Sequence, residues 1–202
     1  GGVPRGCYAP DRNNWAPRAG IAWDVDGRGR TMVRAGFGVY YDQSALAPSE
    51  GLYFNPPYFD MRLYFPLPGL PLTLDNPFPA QFPVSLPPSA TTYQPDFQIA
   101  SVTQWNINVQ RQVGRSRLVE VAYVGSSGRH LLRGRDINQA GASPNPVNLR
   151  PDPEFADVTL LESAARSEYK SLQFSFTQRL DSGVSAVAAY TWSSSRDDAS
   201  GL

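Results

Sequence analysis

The sequence predicts an all-β chain, an antiparallel meander of about six long strands with long irregular loops on one rim. Three observations carry that expectation. Apolar and polar residues alternate with a period of two in six segments, the spacing that sends successive strand side chains to opposite faces. The segments group into three hairpins, about 17–41, 98–126 and 168–194, each built on a tight turn of three or four residues. Long stretches, 42–97 and 127–167, join one hairpin to the next.

The central hairpin is the clearest. Trp105, Ile107 and Val109 fall on one face, and Gln104, Asn106, Asn108, Gln110 and Gln112 on the other. Gly114–Arg117 turns the chain, and Val119, Val121 and Tyr123 then oppose Glu120. The wet face is neutral amide rather than Lys and Glu. Such a strand fits a wall with lipid outside and water inside, and it also fits a half-buried soluble sheet.

The first hairpin sets Ala19, Ile21, Trp23 and Val25 against Arg18, Gly20, Ala22 and Asp24, then turns at Asp26-Gly27-Arg28-Gly29. Its return limb places Val33, Ala35, Phe37, Val39 and Tyr41 on one face. Met32, Arg34, Gly36, Gly38 and Tyr40 take the other, where small residues suit close backbone approach. In the third hairpin Lys170, Leu172, Phe174, Phe176 and Leu180 oppose Ser171, Gln173, Ser175, Thr177 and Arg179. Asp181-Ser182-Gly183 turns it, and Val184, Ala186, Ala188, Tyr190 and Trp192 follow on one face.

The 42–97 stretch holds twelve of the 19 prolines, mixed with aromatic residues. That density forbids a helix and interrupts any sheet ladder. A domain linker is one reading, but linkers are seldom so aromatic. The other is a long surface loop packed by its own rings, with Tyr53, Phe54, Tyr58, Phe59, Tyr64 and Phe65 as candidate substrate contacts.

Composition narrows the classes. Eighteen basic residues balance 18 acidic ones, which argues against a nucleic-acid surface. One cysteine, Cys7, excludes an internal disulfide framework and a cysteine-based zinc site. There is no initiator Met, no signal peptide and no run of roughly 18 apolar residues. The opening Gly1-Gly2-Val3-Pro4 reads as the middle of a longer protein.

With tight turns on one rim and long loops on the other, the arrangement is that of a transmembrane β-barrel. The limbs are long enough to cross a bilayer at a tilt of about 45°. Aromatic residues such as Trp23, Trp105, Tyr123, Tyr190 and Trp192 fall on the apolar faces or near strand ends, where interfacial girdles form. Arg34 and Glu120, the charges nearest mid-strand, lie on polar faces. Six strands are fewer than the eight of the smallest bacterial barrels, so the chain is expected to be an open segment of a larger one. The competing reading is a secreted soluble β-sandwich that binds carbohydrate or protein through aromatic loops.

Three ordered segments resemble a known family. They are Asn14-Trp15-Ala16-Pro17-Arg18-Ala19-Gly20-Ile21-Ala22-Trp23-Asp24 leading to Val33-Arg34-Ala35-Gly36-Phe37-Gly38-Val39-Tyr40-Tyr41-Asp42; Gln104-Trp105-Asn106 with Gln110-Arg111-Gln112 and Glu120-Val121-Ala122-Tyr123-Val124-Gly125-Ser126; and Tyr169-Lys170-Ser171-Leu172-Gln173 with Tyr190-Thr191-Trp192-Ser193. Together they resemble the barrel of TonB-dependent outer-membrane receptors of the Oar-like type. The resemblance implies a barrel of roughly 22 strands closed around a plug. It also implies import of a bulky extracellular substrate in a Gram-negative outer membrane, with energy relayed by TonB. The expected partners are outer-membrane lipid, that substrate, and the TonB complex through parts of the protein outside this chain. No plug or TonB box is recognisable here.

No catalytic, cofactor or metal site is expected. His130 is the only histidine, and no second His or Cys cluster accompanies it. Ser167-Glu168-Tyr169-Lys170 matches the Ser-x-x-Lys text of penicillin-binding enzymes, but that chemistry needs a helix where these residues alternate as a strand. Gly27-x-Gly29 lacks a third glycine and opens a strand, so it cradles no phosphate. Asp197-Asp198 and Asp152 with Glu154 read as surface acids rather than calcium ligands.

Overall fold

A computed structural model describes residues 8–42, 50–59, 62, 64–69, 72–79, 87–142, 149–179 and 183–199. Cys7, Leu180, Asp181 and Ser182 lie outside them. Among the described residues there are seven strands: β1 (Arg18–Asp24), β2 (Thr31–Tyr41), β3 (Ala90–Tyr93), β4 (Ser101–Val113), β5 (Arg117–Asp136), β6 (Val158–Arg179) and β7 (Ser185–Asp197). The chain divides into two compact units, the first made of Gly1–Ser44, Pro95–Arg133 and Glu162–Leu202, the second of Ala45–Gln94 and Gly134–Leu161.

In the first unit the order is β1–β2–β4–β5–β6–β7, an antiparallel meander with β1 and β7 as its two edges. Among the described residues those edges do not pair with each other, so the sheet is open. The tight turns lie on one rim, where the Gln112 amide donates to the Arg30 carbonyl and the Arg179 amide to the Ser116 carbonyl. Tyr41, Ser101 and Arg129 are in register at the opposite rim, where the chain leaves for its long connections.

Register aligns the apolar residues across the sheet. Ile21, Ala35, Ile107 and Tyr123 form one row, and Trp23, Val33, Val109 and Val121 form the next. Leu172 faces Trp192 and Phe174 faces Tyr190. These side chains are bare: Ile21 is 64% exposed and Trp192 71%. The opposite face holds the buried side chains Ala122, Ala165, Ser163 and Ser171, while on the apolar parity Glu162 and Gly125 are buried. A soluble sheet does the reverse, because covering apolar surface is its main source of stability. The sandwich reading therefore fails: among the described residues no second layer closes over the apolar rows.

The strands run further than the alternation suggests. β5 continues to Asp136 rather than ending near 126, and β6 begins at Val158 rather than 168. Ser126, Ser127 and Gly128 read as a loop by composition, yet they pair with Gln104, Thr103 and Val102. Glu162-Ser163-Ala164-Ala165 has weak β-propensity, but cross-strand partners override propensity. Arg133 Nε and Nη2 donate to Glu162 Oε1 at 2.9 and 2.6 Å. His130, within the stretch 127–167 read as a connection, sits inside β5 with φ at 54°, a left-handed conformation that histidine adopts more readily than most residues.

Among the described residues the second unit contains two elements that the proline density hid, a 3-10 turn at Gly51–Phe54, where no helix was expected, and the strand β3. β3 occupies the proline-free run Ala90–Tyr93 and pairs in parallel with the first four residues of β6, Val158–Leu161. Two flanking bonds extend the ladder, from the Ala90 amide to the Asp157 carbonyl and from the Gln94 amide to the Leu161 carbonyl, both at 2.9 Å.

Candidate functional site

The candidate loop in the second unit is clamped rather than loose. A 3-10 turn spans Gly51–Phe54, and Asn55 follows it. The Asn55 amide nitrogen donates to the Thr91 carbonyl and the Thr91 amide donates to Asn55 Oδ1, each at 2.7 Å. One side chain thus forms a two-bond bridge to β3, as a strand partner would. Gly51 sits close against the same threonine: a Cβ there would fall 2.7 Å from Thr91 Oγ1.

This clamp presents four of the six candidate aromatics together. Tyr53 is largely exposed, and Tyr58 is 94% exposed. Phe54 meets Phe59 edge-on with ring centroids 4.9 Å apart, a favoured geometry. Tyr64 packs instead against Phe78, centroids 5.4 Å apart, and Phe65 is partly exposed. The sequence pointed to the rings but not to Asn55 or Thr91, which hold them. The only cue was an asparagine before Pro56-Pro57, and that spells a turn anywhere.

The 137–157 connection has a hub of its own. Asn138 is 2% exposed, and its amide nitrogen donates to the carbonyls of Asp152, Phe155 and Ala156 at 2.8–3.0 Å. The Asp152 amide returns a bond to Asn138 Oδ1 at 2.8 Å. Arg150 Nη1 donates to the Asn138 carbonyl, the Ala156 carbonyl and Asp157 Oδ1. Asp152 Oδ1 also accepts from the Glu154 amide, so the Asp152–Glu154 pair serves the loop's own fold. Asp198 similarly accepts from the Arg166 amide at 2.6 Å.

In the first unit the polar face forms a hydrogen-bonded wall. Arg34 Nη1 donates to Gln110 Oε1 at 2.8 Å, and the Asn108 amide donates to Glu120. Arg18 stacks over the Tyr40 ring at 4.6 Å. Ser167 and Lys170 are three apart in β6 and so face opposite sides, with Lys170 ion-paired to Glu168. At the tight-turn rim, Asp26 Oδ1 accepts from the amides of Arg28 and Arg30 at 3.1 and 3.2 Å, while Asp24 Oδ2 accepts from Gly29 at 2.8 Å. Desolvation alone would raise the Asp26 carboxyl, but the bonds from Arg28, Arg30, Asp24 and Thr31 together hold it below its ordinary value.

The geometry is that of a wall with one side oily and bare and the other lined by amides. A family model for an outer membrane beta barrel domain matches residues 1–202. The chain belongs to that family. The chain is also similar to a solved structure, the outer membrane transporter YddB from Escherichia coli, with a TM-score of 0.59. That match covers 90% of this chain and 20% of the transporter at 14% identity, so this barrel segment spans about a fifth of the transporter's length and shares its fold. A search of curated proteins finds no match. The domain accordingly resides in the outer membrane of a Gram-negative bacterium. In barrels of this kind an apolar face meets lipid and a polar face lines the interior, and the two faces of this sheet divide in that way.

Proposed function

We propose that the chain forms part of the barrel of a TonB-dependent transporter of the Oar-like type, importing a bulky substrate across the outer membrane. The strongest support is the bare apolar rows opposite an amide-lined interior, joined to the ordered motifs of the first, central and third hairpins. The plug and TonB contact belong to parts of the protein outside these residues. The tight turns then face the periplasm and the long connections face the exterior. The chain has no catalytic role in this reading and needs no cofactor. Its partners are outer-membrane lipid, an extracellular substrate and, indirectly, the TonB complex; nucleic acid is not among them.

The clamped aromatic turn serves substrate capture. Tyr53, Phe54, Tyr58 and Phe59 form a rigid contact surface with few rotatable bonds to order on binding. Deleting residues 53–65 from the whole receptor should abolish substrate uptake while leaving outer-membrane levels intact. Unchanged uptake sinks the capture role, and uptake that persists in cells lacking TonB sinks the energy coupling.

A further inference from the structure

The first unit carries a feature that the barrel reading alone does not use. Two irregular segments, residues 8–14 and 95–100, run together at the loop-side rim. The Ala9 amide donates to the Pro95 carbonyl at 2.9 Å, and the Ile99 amide donates to Asp11 Oδ2 at 3.1 Å. Tyr8 packs on Phe97 with centroids 5.1 Å apart, and Phe97 is 5% exposed. The Gln98 amide donates to Ser163 Oγ at 3.0 Å. Ser163 belongs to the same alternating set as Ala165, Ser167 and Ser171, the interior-facing side of β6. The paired segments therefore form a strap crossing the interior side at the mouth.

Beside the strap lies a cavity of about 310 Å³ lined by Asp11, Asn13, Asn14, Asp96, Gln98 and His130, among others. Among the described residues no lysine or arginine belongs to its lining, so it is poorly matched to an anion. Carboxylate, carboxamide and imidazole groups instead offer mixed donors and acceptors. From the mouth, β4 carries Gln104, Asn106, Asn108 and Gln110 down the interior face, and a second concavity of about 320 Å³ sits on that ladder at Gln104 and Asn106, with Arg18, stacked on Tyr40, also in its lining. Amides spaced along a wall suit a ligand that donates and accepts repeatedly along its length.

We infer that the strap cavity is a cargo subsite for a neutral, polyhydroxylated ligand, an oligosaccharide, which the amide ladder continues inward. The inference rests on the transporter reading and names its substrate class. Hydroxyls on adjacent sugar carbons both give and take hydrogen bonds, which Asp11, Asn13 and Gln98 can complement.

The test uses the whole receptor, purified in detergent from outer membranes, titrated calorimetrically with maltohexaose, cellohexaose, hexa-alanine and inorganic phosphate. One hexasaccharide should bind, and neither the peptide nor phosphate should. The Asn13→Ala/Gln98→Ala variant removes two side-chain amides while keeping the Gln98 backbone bond to Ser163, and it should weaken that binding about tenfold or more. A correctly assembled barrel that binds neither sugar, that prefers phosphate or peptide, or whose sugar affinity is unchanged in the variant overturns the inference. A receptor missing from the outer membrane would instead overturn the transporter reading.

Discussion

The indole of Trp105 covers Gly125, its cross-strand partner: a Cβ on that glycine would fall 2.3 Å from Trp105 Cε2 and 2.4 Å from Cζ2. The glycine supplies the space in which the ring lies down on the apolar face, between Phe37 and the backbone of β5. Aromatic cover of a strand glycine restores packing that the missing side chain gives up.

Gly125→Ala should therefore force Trp105 off the sheet and cost about 1–3 kcal/mol, the usual range for overpacking. Gly141→Ala, where nothing lies within 4 Å, is the control. Urea unfolding of the barrel, followed by tryptophan emission, measures both. Equal midpoints would show that the ring moves at no cost.

Asn138 should prove the weak point of the 137–157 connection. Asn138→Ala removes its amide donor from the carbonyls of Asp152 and Phe155, one of two donors from that of Ala156, and the acceptor from the Asp152 amide. Leaving such groups unsatisfied costs about 1–3 kcal/mol, so amide exchange at 150–157 should speed up roughly 5- to 150-fold. Exchange in β4 should not change. Hydrogen exchange read by mass spectrometry separates the two regions.

Legibility in the sequence followed chemical periodicity. β2 and β4 were plain because Val33–Tyr41 and Gln104–Gln112 alternate with large contrast between faces. The second halves of β5 and β6 were obscure because Ser126-Ser127-Gly128 and Ser163-Ala164-Ala165 are small on both faces, leaving no contrast to read. A single sequence also hides which distant segments meet. That Thr91 would be held by Asn55, or Phe97 by Tyr8, depends on chain paths that residue type does not encode. The aromatic candidates were visible by composition, whereas the side chains anchoring them were not.

The first tight turn should open only in strong acid. Asp26's folded carboxyl lies below its ordinary value of 3.8, so the turn holds its charge-assisted bonds at any pH above that value. They are lost as pH falls through the depressed range. Exchange protection of the Arg28 and Arg30 amides should stay flat from neutral pH down to about that value and collapse below it, after correction for intrinsic rates. Asp26→Asn should remove the acid transition. A collapse near pH 6 would assign the turn's stability to some other group.

The assignment of faces makes the sharpest prediction, because neighbouring residues of one strand should answer oppositely to the same charge. Ile107 sits mid-strand in the apolar row with Ile21, Ala35 and Tyr123, whereas Gln104 lies on the amide face beside the second concavity. A lysine at a lipid-facing midplane position costs about 2–4 kcal/mol, while the same charge inside a hydrated lumen costs little. Ile107→Lys should therefore reduce folding of the whole receptor into lipid vesicles and lower its outer-membrane level several-fold. Gln104→Lys should leave both near the parent values. Heat-dependent migration on gels and quantified membrane fractions supply the readouts. Ile107→Lys assembling normally while Gln104→Lys fails would mean that the sheet faces the opposite way, with its oily rows toward the interior.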